Sequence, residues 1–325
     1  MTRPSFGWGI LGAGRIATRF ATDLKKLPQA RLVAVGSRTL DKARAFAAQY
    51  GVERAYGSYA EMLADPAVDI VYVATPHPFH LEHTLLCLNA GKAVLCEKPM
   101  EINAQRVSEM VETARRNKVF LMEAMWTRFL PVIVQVRRWI AEGRIGKVRM
   151  LSADFGFRAA WDPQGRLFNP ALAGGALLDV GIYVVAFASM LFGTPTQVQA
   201  TAYLGETGVD EQTALLLRYA DGQLALLACA VSTNTPHQAL ILGTEGHITV
   251  PNFWHATLAT LDVNGQPTIK TRGKSGYQFE AAEVMACLTA GQTESAIMPL
   301  DESIAIAQTL DQARAQIGLT YPMER

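Results

Sequence analysis

The chain has 325 residues, too many for one ordinary core and enough for two domains. Half of it is apolar, 18% is charged, and 30 Lys and Arg stand against 29 Asp and Glu. So even a balance removes the usual case for a nucleic-acid partner or an acidic membrane surface and leaves small-molecule chemistry as the expectation.

Up to about residue 123, short apolar runs alternate with amphipathic stretches. Runs 6–11, 31–36, 70–74, 93–96 and 119–122 read as strands, and 16–26, 41–50, 79–90 and 103–117 carry helical spacing. Alternation at this pitch predicts an α/β domain over 1–123, a doubly wound parallel sheet of Rossmann type. After Glu123 the pattern changes. A helix with Pro131 in its first turns runs to about Ala141, followed by strands joined by hairpin signals. Asp221-Gly222 and Asn264-Gly265 are the dipeptides of type I′ turns, and Gly243-Thr244-Glu245-Gly246 marks another turn. Residues 124–325 therefore read as an α+β domain on a large, mostly antiparallel sheet, with a last helix at 303–317 that could return to the first domain.

Runs 214–219 and 223–231 are apolar almost throughout instead of alternating, so both sheet faces are expected to be covered, one of them by a partner subunit. A homo-oligomer is the expectation. Cys87, Cys96, Cys229 and Cys287 lack CxxC spacing and sit in apolar surroundings, as reduced, buried thiols do. Met1-Thr2-Arg3-Pro4-Ser5 leads into an apolar run without a leader pattern, and no stretch reaches the roughly 18 uninterrupted apolar residues of a membrane span. A cytoplasmic location without a membrane partner is expected.

The first predicted strand ends in Gly12-Ala13-Gly14-Arg15-Ile16-Ala17, a G-x-G-x-x-A pattern. Its first glycine makes the tight turn, its second lets the backbone approach a pyrophosphate, and the helix opened by Arg15 and Ile16 presents unpaired N–H groups. A purely structural glycine turn is the alternative. The second strand ends Gly36-Ser37-Arg38-Thr39 with no acid until Asp41. A hydroxyl and a guanidinium there suit a 2′-phosphate, so the expected cofactor is NADP(H); the alternative is a surface arginine beside a helix cap.

Cys96-Glu97-Lys98-Pro99 stands at the carboxyl end of a core strand, where open α/β sheets place ligands. Further on, Gly174-Gly175 open an apolar helix in which Asp179 and Tyr183 lie four apart, hence on one face. A tyrosine bonded to a carbonyl and an aspartate capping a turn would explain the same residues structurally. The chemical reading is hydride transfer with acid–base help. A phenol of pKa about 10 is a poor base. A lysine cation about 4 Å away contributes up to about 4 kcal/mol at an effective dielectric of about 20. Phenolate desolvation opposes this, yet a net fall of about one to three pKa units makes Tyr183 a usable proton acceptor beside Lys98, with Asp179 orienting the substrate or the tyrosine.

Gly12 to Ala17, Ala74-Thr75-Pro76-His77, Glu97-Lys98-Pro99 and Gly174…Asp179…Tyr183 together resemble the glucose–fructose oxidoreductase/inositol dehydrogenase (Gfo/Idh/MocA) family over nearly the whole chain. Residues 92–99, 122–129 and 174–183 are similar to the branch that holds dimeric dihydrodiol dehydrogenases and NADP-dependent D-xylose dehydrogenases. The resemblance implies a Rossmann domain, an open-faced sheet domain that pairs in homodimers, and catalytic roles for Lys98 and Tyr183 supported by Asp179. It also implies that Thr75, Pro76 and Glu97 lie near the nicotinamide ribose and that the peptide before Pro99 is cis. Many members carry His where this chain has Tyr183, and Asn where it has His77.

Among other candidates, His77, His80 and His83 have ligand-like spacing, but Pro78 interrupts the run and only Glu82 offers an acidic partner, so a metal is not expected. His80 is counted with the cofactor contacts. Gly273-Lys274-Ser275 lacks the upstream glycine of a P-loop. Trp126, Phe155, Trp161, Trp254 and Phe279 are candidates for an aromatic pocket wall, and Arg128 for a substrate or cofactor contact or an interdomain ion pair. The expected activity is NADP(H)-linked oxidation of a hydroxyl on a cyclic polyol such as an aldose or a trans-dihydrodiol. Its rivals are reduction of a keto-sugar or dicarbonyl by the same residues, and a non-catalytic sugar or nucleotide sensor, against which intact Lys98, Asp179 and Tyr183 argue.

Overall fold

In the computed structural model, which describes residues 5–324, the chain divides into two units. Residues 1–4, on which the reading of a leaderless N-terminus bears, lie outside the described residues. The first unit comprises Met1–Glu101, Gln105–Trp126 and Gly276–Ser303, and the second Ile102–Ala104, Thr127–Ser275 and Ile304–Arg325.

In the first unit, β1 (Phe6–Leu11), β2 (Ala30–Gly36), β3 (Arg54–Tyr56), β4 (Ile70–Val73), β5 (Ala93–Glu97) and β6 (Leu121–Ala124) form one parallel sheet in the order β3-β2-β1-β4-β5-β6. Between them run α1 (Arg15–Leu24), α2 (Leu40–Tyr50), α3 (Tyr59–Leu63), α4 (His80–Asn89) and α5 (Ala104–Asn117). Every residue of β4, β5 and β6 is buried, which is why these strands are apolar apart from Glu97 and Glu123. The strand order reverses between β1 and β4, and their carboxyl ends open the crevice where such sheets take ligands. Neither β3 nor α3 is among the predicted elements; they have three and five residues, too few to show a period.

The second unit holds α6 (Pro131–Ala141), α7 (Ile182–Phe192) and an eight-stranded sheet. Its strands are β7 (Val148–Gly156), β8 (Gln197–Leu204), β9 (Asp210–Arg218), β10 (Leu224–Ala230), β11 (Gln238–Gly243), β12 (Gly246–Pro251), β13 (Leu258–Val263) and β14 (Ile269–Arg272). Their order is β14-β13-β12-β11-β7-β10-β9-β8, and only the β7–β10 pair is parallel. One face, with Leu151, Leu217, Leu227 and Ile241, is buried, and α7 packs on β7 and β10. On the other face Leu216 and Leu226, cross-strand partners, are 40% and 43% exposed. The two apolar runs thus reflect an open apolar face, and within the single chain only one face is covered.

Both hairpin dipeptides correct the expected type I′ geometry, because only the glycine of each has positive φ. Gly222 (φ 80°) follows a turn closed by its own N–H on the Tyr219 carbonyl at 3.0 Å, a three-residue loop ending in a left-handed glycine. Gly265 (φ 72°) is the third residue of the turn closed from Gln266 N–H to Val263 O at 3.0 Å, as in type II. The return to the first unit is also made by a different segment from the one expected. Residues 276–303, with α8 (Gln278–Thr289), belong to the first unit, whereas 304–325 belong to the second; α9 (Leu300–Ile317) spans the division.

The segment Pro170–Phe192 has the length and apolarity of a membrane span, but 83% of its most apolar window is buried in the protein. Its start fixes the backbone around Asp179 and Tyr183. Leu177–Gly181 form a π turn ahead of α7, so the helix carrying Asp179 and Tyr183 is not the uniform α-helix predicted. The fully buried Asp210 accepts from Leu177 N–H at 2.7 Å and from the Thr213 hydroxyl at 2.7 Å, tying that turn to β9. A Cβ on Gly175 (φ +116°) would lie 2.1 Å from Asp210 Oδ1, so glycine is required there.

Burial raises the Asp210 carboxyl to about 7, against about 4 in an unfolded chain. Folding therefore favours the protonated form; the stability this contributes is fully present below about pH 4 and is lost as the pH rises through about 7. Melting temperatures of the wild type should consequently fall more steeply between those limits than those of Asp210→Asn, and parallel curves would contradict the assignment. Asp210→Ala, which strands two donors, should cost about 2–4 kcal/mol in urea unfolding.

Candidate active site

At the end of β1, Gly12 has φ +104°, and a Cβ there would meet the Ala74 carbonyl at 3.0 Å. Glycine thus lets this turn lie against the end of β4. Gly14 is the N-cap of α1, no side chain caps the helix, and Arg15 and Ile16 form its first turn. Backbone amides left open at a ten-residue helix, behind a turn of glycines and one alanine, fit a dinucleotide pyrophosphate. Beyond β2, Ser37 is buried and its N–H bonds Tyr56 O at 3.1 Å, while Arg38 is exposed and its charge reaches Tyr59 and His83, as does that of Glu82.

The turn after β5 is braced on every side. The Lys98–Pro99 peptide is cis, as the resemblance implied. Buried Glu97 accepts from the Tyr72 hydroxyl and, at 3.2 Å, from Lys98 N–H. Met100 N–H donates to Glu123 at 3.0 Å, and the other oxygen of Glu123 takes the Ser303 hydroxyl at 2.7 Å. Lys98 itself is half-buried. Thr75 is half-buried, Pro76 exposed, and the Thr75 hydroxyl meets His83 Nδ1 at 3.0 Å.

His80, expected as a cofactor contact, is fully buried between the two turns. Its Nδ1 lies 2.9 Å from Pro99 O and its Nε2 2.8 Å from Thr75 O. Burial draws its pKa down to about 4 against the pull of those carbonyls. A neutral ring donates to one of the two and merely abuts the other. Its role is to tie the Thr75-Pro76 turn to the Lys98-Pro99 turn.

In the second unit Tyr183 is 7% exposed and lies in an aromatic group. Phe155 stands 5.5 Å from it between ring centroids and stacks on Trp254 at 4.8 Å, and Trp254 lies 6.4 Å from Tyr183. Phe155 and Trp254 were predicted as pocket residues; His237, 5.0 Å from Phe155, was not. His237 is held at φ +60° by its N–H to Asp154 at 2.7 Å and its Nε2 to Gly156 O at 2.6 Å. Trp126 packs on Tyr277 at 4.6 Å in the first unit, Phe279 sits on α8 of that unit, and Trp161 pairs with Phe168 at 4.7 Å. Arg128, expected to touch substrate, is 3% exposed and donates from Nη2 to Ala186 O at 3.0 Å, bracing α7 one turn beyond Tyr183.

Asp179, on the π turn, is ion-paired with Arg166, a residue that sequence reasoning missed. Arg166 comes from the segment between β7 and the π turn, with no motif to mark it. Backbone bonds from Gly175 N–H to Leu167 O (2.8 Å) and from Gly174 N–H to Asn169 O (3.1 Å) anchor that segment. A Cβ on Gly174 would meet Leu167 O at 2.7 Å, so the glycine pair serves this approach as well as the helix start.

Family models describe both halves. The model of the GFO/IDH/MocA oxidoreductase family with NAD-binding Rossmann fold matches residues 6–125, and that of the GFO/IDH/MocA C-terminal domain matches residues 133–249. The chain belongs to the Gfo/Idh/MocA oxidoreductase family. It is 42% identical to the trans-1,2-dihydrobenzene-1,2-diol dehydrogenase of Mus musculus over 332 residues, and 39% identical to that of Homo sapiens over 333, covering 98% of both chains in each case. Among solved structures, the aldose-aldose oxidoreductase of Caulobacter crescentus complexed with glycerol is 26% identical, with a TM-score of 0.88 over 96% of this chain and 97% of that one. Membership of the Gfo/Idh/MocA family makes the chain an oxidoreductase whose residues 6–125 form a nicotinamide-dinucleotide-binding Rossmann fold.

Proposed function

We propose that this protein is an NADP(H)-dependent dehydrogenase acting on a hydroxyl of a cyclic polyol, an aldose or a trans-dihydrodiol, and the corresponding carbonyl in reverse. The observation that carries the reading is Tyr183, a phenol set among Phe155 and Trp254 and one turn after the ion-paired carboxylate of Asp179. The 42% identical relative named for a trans-dihydrodiol supports the substrate class. Bound NADP⁺ supplies the hydride acceptor. Tyr183 takes the hydroxyl proton in oxidation and returns it in reduction. Lys98 is assigned the cation that favours the phenolate, Asp179 the orientation of the reacting group, and Phe155 and Trp254 the apolar wall.

The cofactor preference rests on Ser37 and Arg38, where no carboxylate is available to take ribose hydroxyls before Asp41. Gly12, Gly14, Arg15 and Ile16 hold the pyrophosphate, and Thr75, Pro76 and Glu97 the nicotinamide ribose. The protein acts in the cytoplasm as a homodimer, its open sheet face with Leu216 and Leu226 meeting the same face of a second copy. No nucleic acid or membrane takes part.

A spectrophotometric screen of NADP⁺ and NADPH over aldoses, dihydrodiols and dicarbonyls should find turnover. Tyr183→Phe and Lys98→Met should each lower kcat by about 100- to 10,000-fold while NADPH still binds; full activity in both would end the mechanism. Arg38→Asp should move preference toward NAD(H), and unchanged NADP(H) affinity would refute the assignment. Sedimentation at micromolar concentration should give a dimer that Leu226→Asp dissociates, and a wild-type monomer would remove the interface.

A further inference from the structure

We infer that Arg166 is a specificity-determining residue which, paired with Asp179, reads a second hydroxyl next to the reacting carbon. The inference rests on the polyol-dehydrogenase reading and adds to it the side chain that recognises the second hydroxyl of the diol. Asp179 is nearly sheathed, its side chain 9% exposed, whereas that of Arg166 is 44% exposed. A carboxylate only accepts hydrogen bonds and a guanidinium only donates, whereas a hydroxyl does both. Two neighbouring hydroxyls therefore complement the pair, one donating to Asp179 and the other accepting from Arg166. An isolated alcohol satisfies only one of them. The charges of the pair cancel, which suits a neutral ligand better than an anionic one.

The guanidinium is exposed but its backbone is not loose. Leu167, the next residue, accepts from Gly175 N–H at 2.8 Å. Phe168 is buried against Trp161, and the Asn169 side chain accepts Ala171 N–H at 2.9 Å. A side chain so based, bonded to a carboxylate one turn before Tyr183, is preorganised to receive a ligand oxygen. Simple anchoring of Asp179 is the rival role. It would act on every substrate alike, and substrate pairs separate the two.

The test compares trans-cyclohexane-1,2-diol with cyclohexanol, NADP⁺ being the co-substrate, in the wild type, Arg166→Met and Arg166→Lys. The wild type should favour the diol in kcat/KM by about 10- to 100-fold. Arg166→Met should bring that ratio close to one, and Arg166→Lys should restore part of it. A wild type without the preference, a ratio unchanged in Arg166→Met, or an equal loss on both alcohols would overturn the inference. If the wild type oxidises neither alcohol, the dehydrogenase reading fails on these substrates, and calorimetric titration of the NADP⁺-loaded protein decides the pair separately. Tighter binding of the diol that Arg166→Met abolishes upholds the inference; equal or absent binding of the two alcohols overturns it. NADPH titration of each variant, monitored by fluorescence, confirms that the fold is kept, and Arg166→Gln stands in for a variant that fails it.

Discussion

The carboxyl end of β5 depends on holding the largely buried backbone of residues 97–100 rigid. A turn there must satisfy buried polar groups from within the protein, because each one left unpaired costs about 1–3 kcal/mol. Glu123 does this for Met100 N–H, Glu97 for Lys98 N–H, and His80 reaches Pro99 O, while Tyr72 and Ser303 close the remaining carboxylate oxygens. Since Glu123 and Glu97 are each shared between partners, loss of one contact weakens the next. Lys98, half-buried, sits within this braced turn.

The second unit solves a similar problem with a different carboxylate. Asp210 holds the first N–H of the π turn, and Gly174 and Gly175 admit the chain that brings Arg166. The turn that carries Asp179 is thus positioned from two sides, by a strand and by a loop. The π turn also changes the phase of the helix between Asp179 and Tyr183, a local departure of the kind that recurs at functional sites.

What could be read in advance followed from short-range chemistry. The glycine turn, the Glu97-Lys98-Pro99 strand end and the apolar helix with Asp179 and Tyr183 are local patterns, and β1 matches its predicted limits residue for residue. Arg166, Asp210, Glu123 and His237 work through partners chosen by the tertiary fold, with Glu123 and Ser303 180 residues apart. No local spacing encodes such pairs. The spacing of His77, His80 and His83 says nothing about which carbonyls the His80 ring meets, Pro99 O and Thr75 O. The Asp-Gly and Asn-Gly turns were placed correctly and typed wrongly, since a left-handed glycine serves several turn geometries and the flanking hydrogen bonds choose among them.

Because residues 276–303 complete the first unit, that unit is discontinuous along the chain. Thr293 O accepts the N–H of Leu121 at 3.2 Å, so the outer strand β6 receives one of its neighbours from far downstream. During synthesis the N-terminal third emerges from the ribosome with every strand of its sheet but without α8. The nucleotide-binding half therefore cannot mature first and wait; it must keep β6 as an unsheltered edge until the sheet domain has been made. Removal of the last fifty or so residues would strip this half of its cover as well as shortening the other.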